Sequence, residues 1–250
     1  MKKVFPIILV ALVAVFWIRA VDFEFFHFVS CDSPVIKETR KVGAFSKIRA
    51  NSVFDIEYRY SATVSCEIEG PQDYVKATQV SVSNDVLNFK LVGNFHNSGG
   101  EPLKVYLPLK VYLSGPEFKG AELSGAAELS MSGPFPAAPI DINLSGASEL
   151  TGPLNSPDLQ IDLSGASELS ARGKAQKARM VLCGASEVNG DGFTAEVLTI
   201  SLSGASSARV RVNKTLDASA SGASELIYIG KPGNVNRTIS GASSIENENE

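Results

Sequence analysis

A six-residue string recurs seven times in the second half of this 250-residue chain. The copies begin with Ser124-Gly-Ala-Ala-Glu-Leu129, Ser145-Gly-Ala-Ser-Glu-Leu150 and Ser164-Gly-Ala-Ser-Glu-Leu169 and end with Ser240-Gly-Ala-Ser-Ser-Ile245. Their glycines are Gly125, Gly146, Gly165, Gly184, Gly204, Gly222 and Gly241, spaced 18 to 21 residues apart. A single unit of that size cannot bury its own apolar face, so neighbouring units must stack into a solenoid. An alternating run precedes the motif, as in Ile140-Asp-Ile142-Asn-Leu144 and Leu159-Gln-Ile161-Asp-Leu163. Such a run is a strand with one buried face. Gly and Ser inside every unit exclude helical repeats. The leucine-rich and calcium-nonapeptide patterns are absent, and no six-residue apolar period persists. The expected fold is all-β, a right-handed parallel β-helix of about seven rungs over 114–245. A smaller β-rich lead-in region, 42–113, precedes it, and an acidic tail, 246–250, follows.

Alternation assigns each motif position a role. Gly makes the corner, Ala points into the core and Leu closes the turn. The expected inner column is Ala126, Ala147, Ala166, Ala185, Ala205, Ala223 and Ala242. A hydroxyl column, Ser148, Ser167, Ser186, Ser206, Ser224 and Ser243, is expected to hydrogen-bond along the axis. The lead-in region alternates with period two, as in Val53-Phe54-Asp55-Ile56-Glu57-Tyr58-Arg59-Tyr60 and Val64-Ser65-Cys66-Glu67-Ile68. Asn84-Asp85 is a turn, Asp73–Thr78 alone suits a short helix, and Pro108 breaks or edges a strand.

The N-terminus carries targeting information. Lys2 and Lys3 precede an apolar run, Val4–Ile18, which is short for a membrane span of roughly 20 residues and reads as an export signal. Phe28-Val29-Ser30-Cys31 is similar to the site at which bacterial lipoproteins are cut and acylated, which makes Cys31 a lipidation candidate. The rival is a retained N-terminal membrane anchor. Both place the remainder outside the cytoplasm, in the periplasm or on the outer surface. Residues 1–31 are thus a signal or anchor segment and 32–41 a tether. Cys66 and Cys183 are free to pair, or are two small buried apolar residues.

Candidate chemistry is sparse. The copies align Glu128, Glu149, Glu168, Glu187 and Glu225 in an acidic column. A divalent cation or a basic partner would bridge such a column, or it is a solvated edge that opposes aggregation. His27 falls in the signal segment and His96 in a Gly/Asn loop. Asp141 and Asp162 are placed to align on successive rungs. The stretch Lys174-Ala-Gln-Lys177-Ala-Arg179 is a charge run and reads as a solvated edge. No nucleophile motif, phosphate loop or metal-ligand string occurs, so neither catalytic residues nor a cofactor are expected. A net charge of -4 gives no sign of nucleic-acid binding.

Gly43-Ala-Phe45-Ser-Lys-Ile48 leading into Val53-Phe54-Asp55-Ile56, then Val86-Leu87-Asn88-Phe89, then serial Ser-Gly-Ala-Ser-Glu units resemble the head-GIN domain family of exported bacterial auto-transporter adhesins, across roughly 42–245. The resemblance implies a β-helical fold and an exported, often lipid-anchored location. It carries over neither catalytic nor binding residues. The functional expectation is a non-enzymatic cell-envelope protein whose extended surface binds a surface partner, glycan or protein. The alternatives are a carbohydrate-active enzyme on a β-helix and a structural or ice- or crystal-binding solenoid.

Overall fold

The computed structural model describes residues 33–92 and 108–248. The signal segment, Cys31, His27, His96 and the rest of 93–107 lie outside the described residues. Among the described residues, no helix is long and apolar enough to cross a membrane.

The repeats stack as parallel strands in register. The strands β8 (Gly120–Gly125), β9 (Glu128–Ser132) and β10 (Ile140–Leu144) lead into long strands that each run through most of a turn. These are β11 (Glu149–Leu163), β12 (Glu168–Leu182), β13 (Glu187–Leu202) and β14 (Ser207–Ala220). The closing strands are β15 (Glu225–Ile229), β16 (Asn234–Ile239) and β17 (Ser244–Asn247). Equivalent residues pair rung on rung, Leu150 with Leu169 and Ile161 with Met180. The inner column Leu129, Leu150, Leu169, Val188, Ala208, Leu226 and Ile245 is buried throughout. Two outward residues in succession bend the chain opposite the glycine corner, at Pro157–Asp158 and Gln176–Lys177.

The glycine corner is as expected, and the residues after it are not. Gly146, Gly165 and Gly184 adopt φ of 77°, 77° and 81°. A Cβ on Gly165 would lie 2.5 Å from the carbonyl oxygen of Gly146. Only glycine meets both demands. The left-handed residue also interrupts the alternation. Ser145, Gly146 and Ala147 all lie on the outside, Ala147 exposed, and Ser148 turns inward. The expected alanine core column is therefore an exposed column. The serines at 148, 167, 186, 206 and 224 are only 1–2% exposed, and Ala127 takes their place in the first copy. Their hydroxyls do not bond along the axis. Ser167, Ser186 and Ser224 each donate across the corner to the carbonyl three residues earlier, at 2.8 Å. A local acceptor freed by the bend satisfies the buried hydroxyl more directly than one a rung away.

The region before the repeats belongs to the same stack. Strands β2 (Lys47–Ser52) and β3 (Phe54–Tyr60) form a complete rung. On one side it pairs in parallel with β8 and β9. On the other it pairs with β6 (Val86–Leu91) and β7 (Leu109–Gly115). The rung order is therefore β6 with β7, then β2 with β3, then β8 with β9 and onward. The chain lays down the second rung first, returns to build the first, and then continues past both. Ser52 stands where later rungs have glycine, pairing with Gly125 at φ 102°.

Antiparallel strands close the N-terminal end. β1 (Val35–Thr39) pairs with β4 (Ser65–Pro71), and β4 pairs with β7. β5 (Thr78–Ser83) pairs with β6 through the two-residue turn Asn84-Asp85, whose φ values are 50° and 64°. That conformation suits the right-handed twist of a hairpin. The short helix α1 (Gln72–Ala77) links β4 to β5 and buries Tyr74 and Val75. The cap blocks edge pairing at that end. Large aromatics gather beneath it: Phe45, Phe118 and Phe135 surround Tyr58 at ring distances of 5.0–6.3 Å. Tyr60, on the expected buried face, is instead 40% exposed.

Candidate binding surface

The glycine corner joins two outer faces of the solenoid. After the corner, the acidic column forms as the repeat spacing requires. Glu128 pairs with Glu149, Glu149 with Glu168 and Glu168 with Glu187. The structure lengthens it, because Asp55 of the inserted rung pairs with Glu128. Ser207 separates Glu187 from Glu225. Partial burial raises the pKa of Glu128 above its ordinary value, and the charges of Glu149 and Asp55 add to the rise. Asp55 is also raised, mainly by burial, with Lys110 opposing and Glu57 reinforcing. Among the described residues no group of three or more His, Cys, Asp or Glu is placed to hold a metal ion. The ladder spreads its carboxylates along the axis, about 4.8 Å per rung, where a hard cation needs them around one point.

Before the corner, a groove of about 470 Å³ runs across four rungs. Ser124, Ser145, Ser164 and Cys183 line one side, and Glu122, Asn143, Asp162 and Val181 the other. The first set continues as Ser203, Ser221 and Ser240. Each of these residues gives its backbone N–H to the preceding rung, as Ser164 does to Leu144 at 2.9 Å. Glu122 is held by a forked contact from Arg49, at 2.6 and 2.8 Å. Gln160 donates to Asp162 at 2.9 Å.

Two expected placements change. Asp141 and Asp162 do not share a column: Asp141 pairs with Gln160, and Asp162 with Asn143. Each repeat restarts its register at the glycine corner, and the two carboxylates stand at different offsets from it. Cys183 is exposed, whereas Cys66 is buried, and both thiols are free. Burial pushes the Cys66 thiol up to about 12. Cys183 takes the outward first serine of the motif, so its exposure follows from its place in the repeat. Sequence reasoning missed Asp55 and the groove column Glu122–Asn143–Asp162. Asp55 sits two residues before Glu57 in a copy lacking the Ser-Gly-Ala signature. The alternation Phe54-Asp55-Ile56, matching Ala127-Glu128-Leu129, was the signal available.

Comparison with known proteins places this geometry. The family model described as "Putative auto-transporter adhesin, head GIN domain" matches residues 44–232. No curated protein matches the sequence. A Bacteroides fragilis crystal structure described as a "putative adhesin" superposes with a TM-score of 0.78 at 21% identity, covering 86% of this chain and 97% of that one. A "putative adhesin" from Parabacteroides distasonis gives 0.67 at 17%, covering 86% and 98%. A "putative lipid binding protein" from the same species gives 0.62 at 17%, covering 85% and 96%. At these identities the likeness is one of fold.

Proposed function

The chain belongs to the family described as "Putative auto-transporter adhesin, head GIN domain", and on that footing we propose that it is a non-enzymatic binding module of the cell envelope. Its outer faces hold an extended surface partner, a glycan or a protein. Residues 1–31 anchor it, through acylated Cys31 or a retained apolar segment. One observation carries the reading: Ser124, Ser145 and Ser164 offer the same hydroxyl at fixed register along one side of the groove, on three rungs in succession. A catalytic centre needs different groups converging on one reacting atom. A periodic array instead offers an extended polymer the same contact several times, and repeated weak contacts sum to avidity. The two groove carboxylates are engaged by Arg49 and Gln160, which suits positioning roles better than proton transfer.

Of the two serine columns that could meet a crystalline surface, Ser148 to Ser224 is buried and bonded internally, and the groove column Ser124, Ser145 and Ser164 alone faces outward. The test is incubation of the protein with polygalacturonate, chondroitin sulfate and dextran, following both retention and new reducing ends. At least one polymer is expected to be retained, with no new ends above the buffer blank. Catalytic turnover of any of the three would overturn the reading.

A further inference from the structure

One rung carries an unbalanced line of positive charge. Arg172, Lys174, Lys177 and Arg179 all lie on β12, and all four are exposed. None forms an ion pair with a described residue. Two rungs further on, Arg209 is held by Asp191 and Glu248, and Lys214 by Glu196 at 3.2 Å. The flanking rungs do not compensate the line. Across β11 the four face Pro153, Asn155, Asp158 and Gln160. Across β13 they face Gly192, Thr194, Val197 and Thr199. Asp158 is the single acid among these eight. Like charges so aligned repel one another, and they stand on a chain with an overall charge of -4. The solenoid portion, 114–250, is more acidic still, at -6.

From these observations we propose that the β12 belt binds a linear acidic polysaccharide. The proposal rests on the binding reading above and names its partner class. The belt covers seven residue steps, roughly 23 Å of strand, and it turns a corner. Arg172 and Lys174 precede the bend at Gln176–Lys177, and Arg179 follows it. A flexible linear chain follows such a path, whereas a membrane plane meets one side of it. None of the eight flanking residues is aromatic, so the stacking platform of single-stranded nucleic-acid sites is missing. Lys174 also lines a groove of about 360 Å³ with Asn155, Ser156 and Gln176. The two amides are suited to sugar hydroxyls, while the buried Ser156 hydroxyl is engaged by the Ala138 and Asp158 carbonyls. Glu196, on the same groove, is engaged by Asn213 at 2.9 Å and by Lys214. Arg172 and Arg179 present planar forks that match carboxylate or sulfate groups.

The test uses the full chain, immobilised polygalacturonate and, as the neutral comparator, dextran. Three proteins are compared: the native chain, R172Q/K174Q/K177Q/R179Q, and K37Q/R59Q as a control that removes two exposed cations elsewhere. Native and control proteins are expected to bind polygalacturonate, with affinity falling as salt rises. The belt variant is expected to bind about tenfold or more weakly, with unchanged circular dichroism. Equal binding by the belt variant overturns the proposal. So does tighter binding to phosphatidylglycerol vesicles than to the polymer. Binding of native protein to dextran and polygalacturonate alike overturns the belt and leaves the general binding reading standing. Cleavage of polygalacturonate overturns both.

Discussion

Replacing Gly165 with alanine is expected to remove about 3 kcal/mol of stability, or more, lowering the melting temperature by roughly 6–12 °C. Two penalties combine. An L-residue in the left-handed region costs roughly 1–2 kcal/mol, and the new methyl meets the Gly146 carbonyl oxygen at 2.5 Å. That oxygen is a fixed part of the ladder, accepting from the Ala166 N–H at 2.7 Å, so it cannot withdraw without breaking a rung contact. Neighbouring positions give the contrast. Ala166→Ser, on the exposed column, is expected to change stability by no more than about 0.5 kcal/mol. Ser167→Ala loses one local hydrogen bond and is expected to cost about 1 kcal/mol. The naturally occurring Ala127 shows that the pocket accepts the smaller side chain. Ser52→Gly works in the opposite direction. It relieves the non-glycine residue at φ 102° and is expected to stabilise by about 0.5–1 kcal/mol, once the extra entropy of an unfolded glycine is offset. Thermal melts of the four variants measure all of these effects.

Tyr58→Ala is expected to cost about 3–5 kcal/mol. Its side chain is fully buried, ringed by Phe45, Phe118 and Phe135. Its hydroxyl donates to the Glu117 carbonyl at 2.6 Å. Burial, reinforced by the nearby Glu117 charge, raises the phenol well above its ordinary pKa, so it remains a donor. Gly115 makes room for it, since a Cβ there would lie 2.7 Å from the hydroxyl. Tyr58→Phe keeps the packing and orphans the carbonyl, at an expected cost of about 1–2 kcal/mol. Denaturant titration separates the two variants. The cluster ties the 47–60 rung to residues on either side of the 120–132 rung, far apart in sequence, so its loss is expected to loosen the inserted rung before the distal ones.

The solenoid itself was legible because glycine spacing is a direct record of rung length. The register followed from it, and so did the acidic column from Glu128 to Glu225. Carried through the corner, the two-residue period that buries Ile142 and Leu144 puts Ala147 outside and Ser148 and Leu150 inside, as observed, so the alanine core column departed from the pattern by assigning the smaller side chain to the interior. What alternation could not supply was Gly146 itself, which the period places inside and the left-handed turn leaves exposed. Rung order was hidden for another reason. The 47–60 rung has Ser52, Phe54 and Asp55 where later copies have Gly, Ala or Ser, and Glu. Its bulky residues suit the aromatic-filled end beneath the cap, so the copy no longer resembles the repeat. Cys183 illustrates the value of position over residue type. Cysteine is commonly buried, yet this one occupies the outward first place of the motif. The β12 belt was legible as a charge run, and only the register showed that its neighbours leave it uncompensated.

The chain is a stack of equivalent rungs, capped at one end, with a groove that spans four of them. Deleting one whole rung outside that groove tests this most directly. Removing residues 203–220 brings Ser221 into the place of Ser203 behind Leu202, so every column closes up by one step. Circular dichroism, thermal melting and retention on the polymer bound by the native protein would be measured together. A shortened solenoid is expected to fold with an unchanged β signature, melt modestly earlier because one rung interface is gone, and retain the polymer as the native chain does. A deletion protein that is unfolded, or folded but unable to bind, would contradict the account.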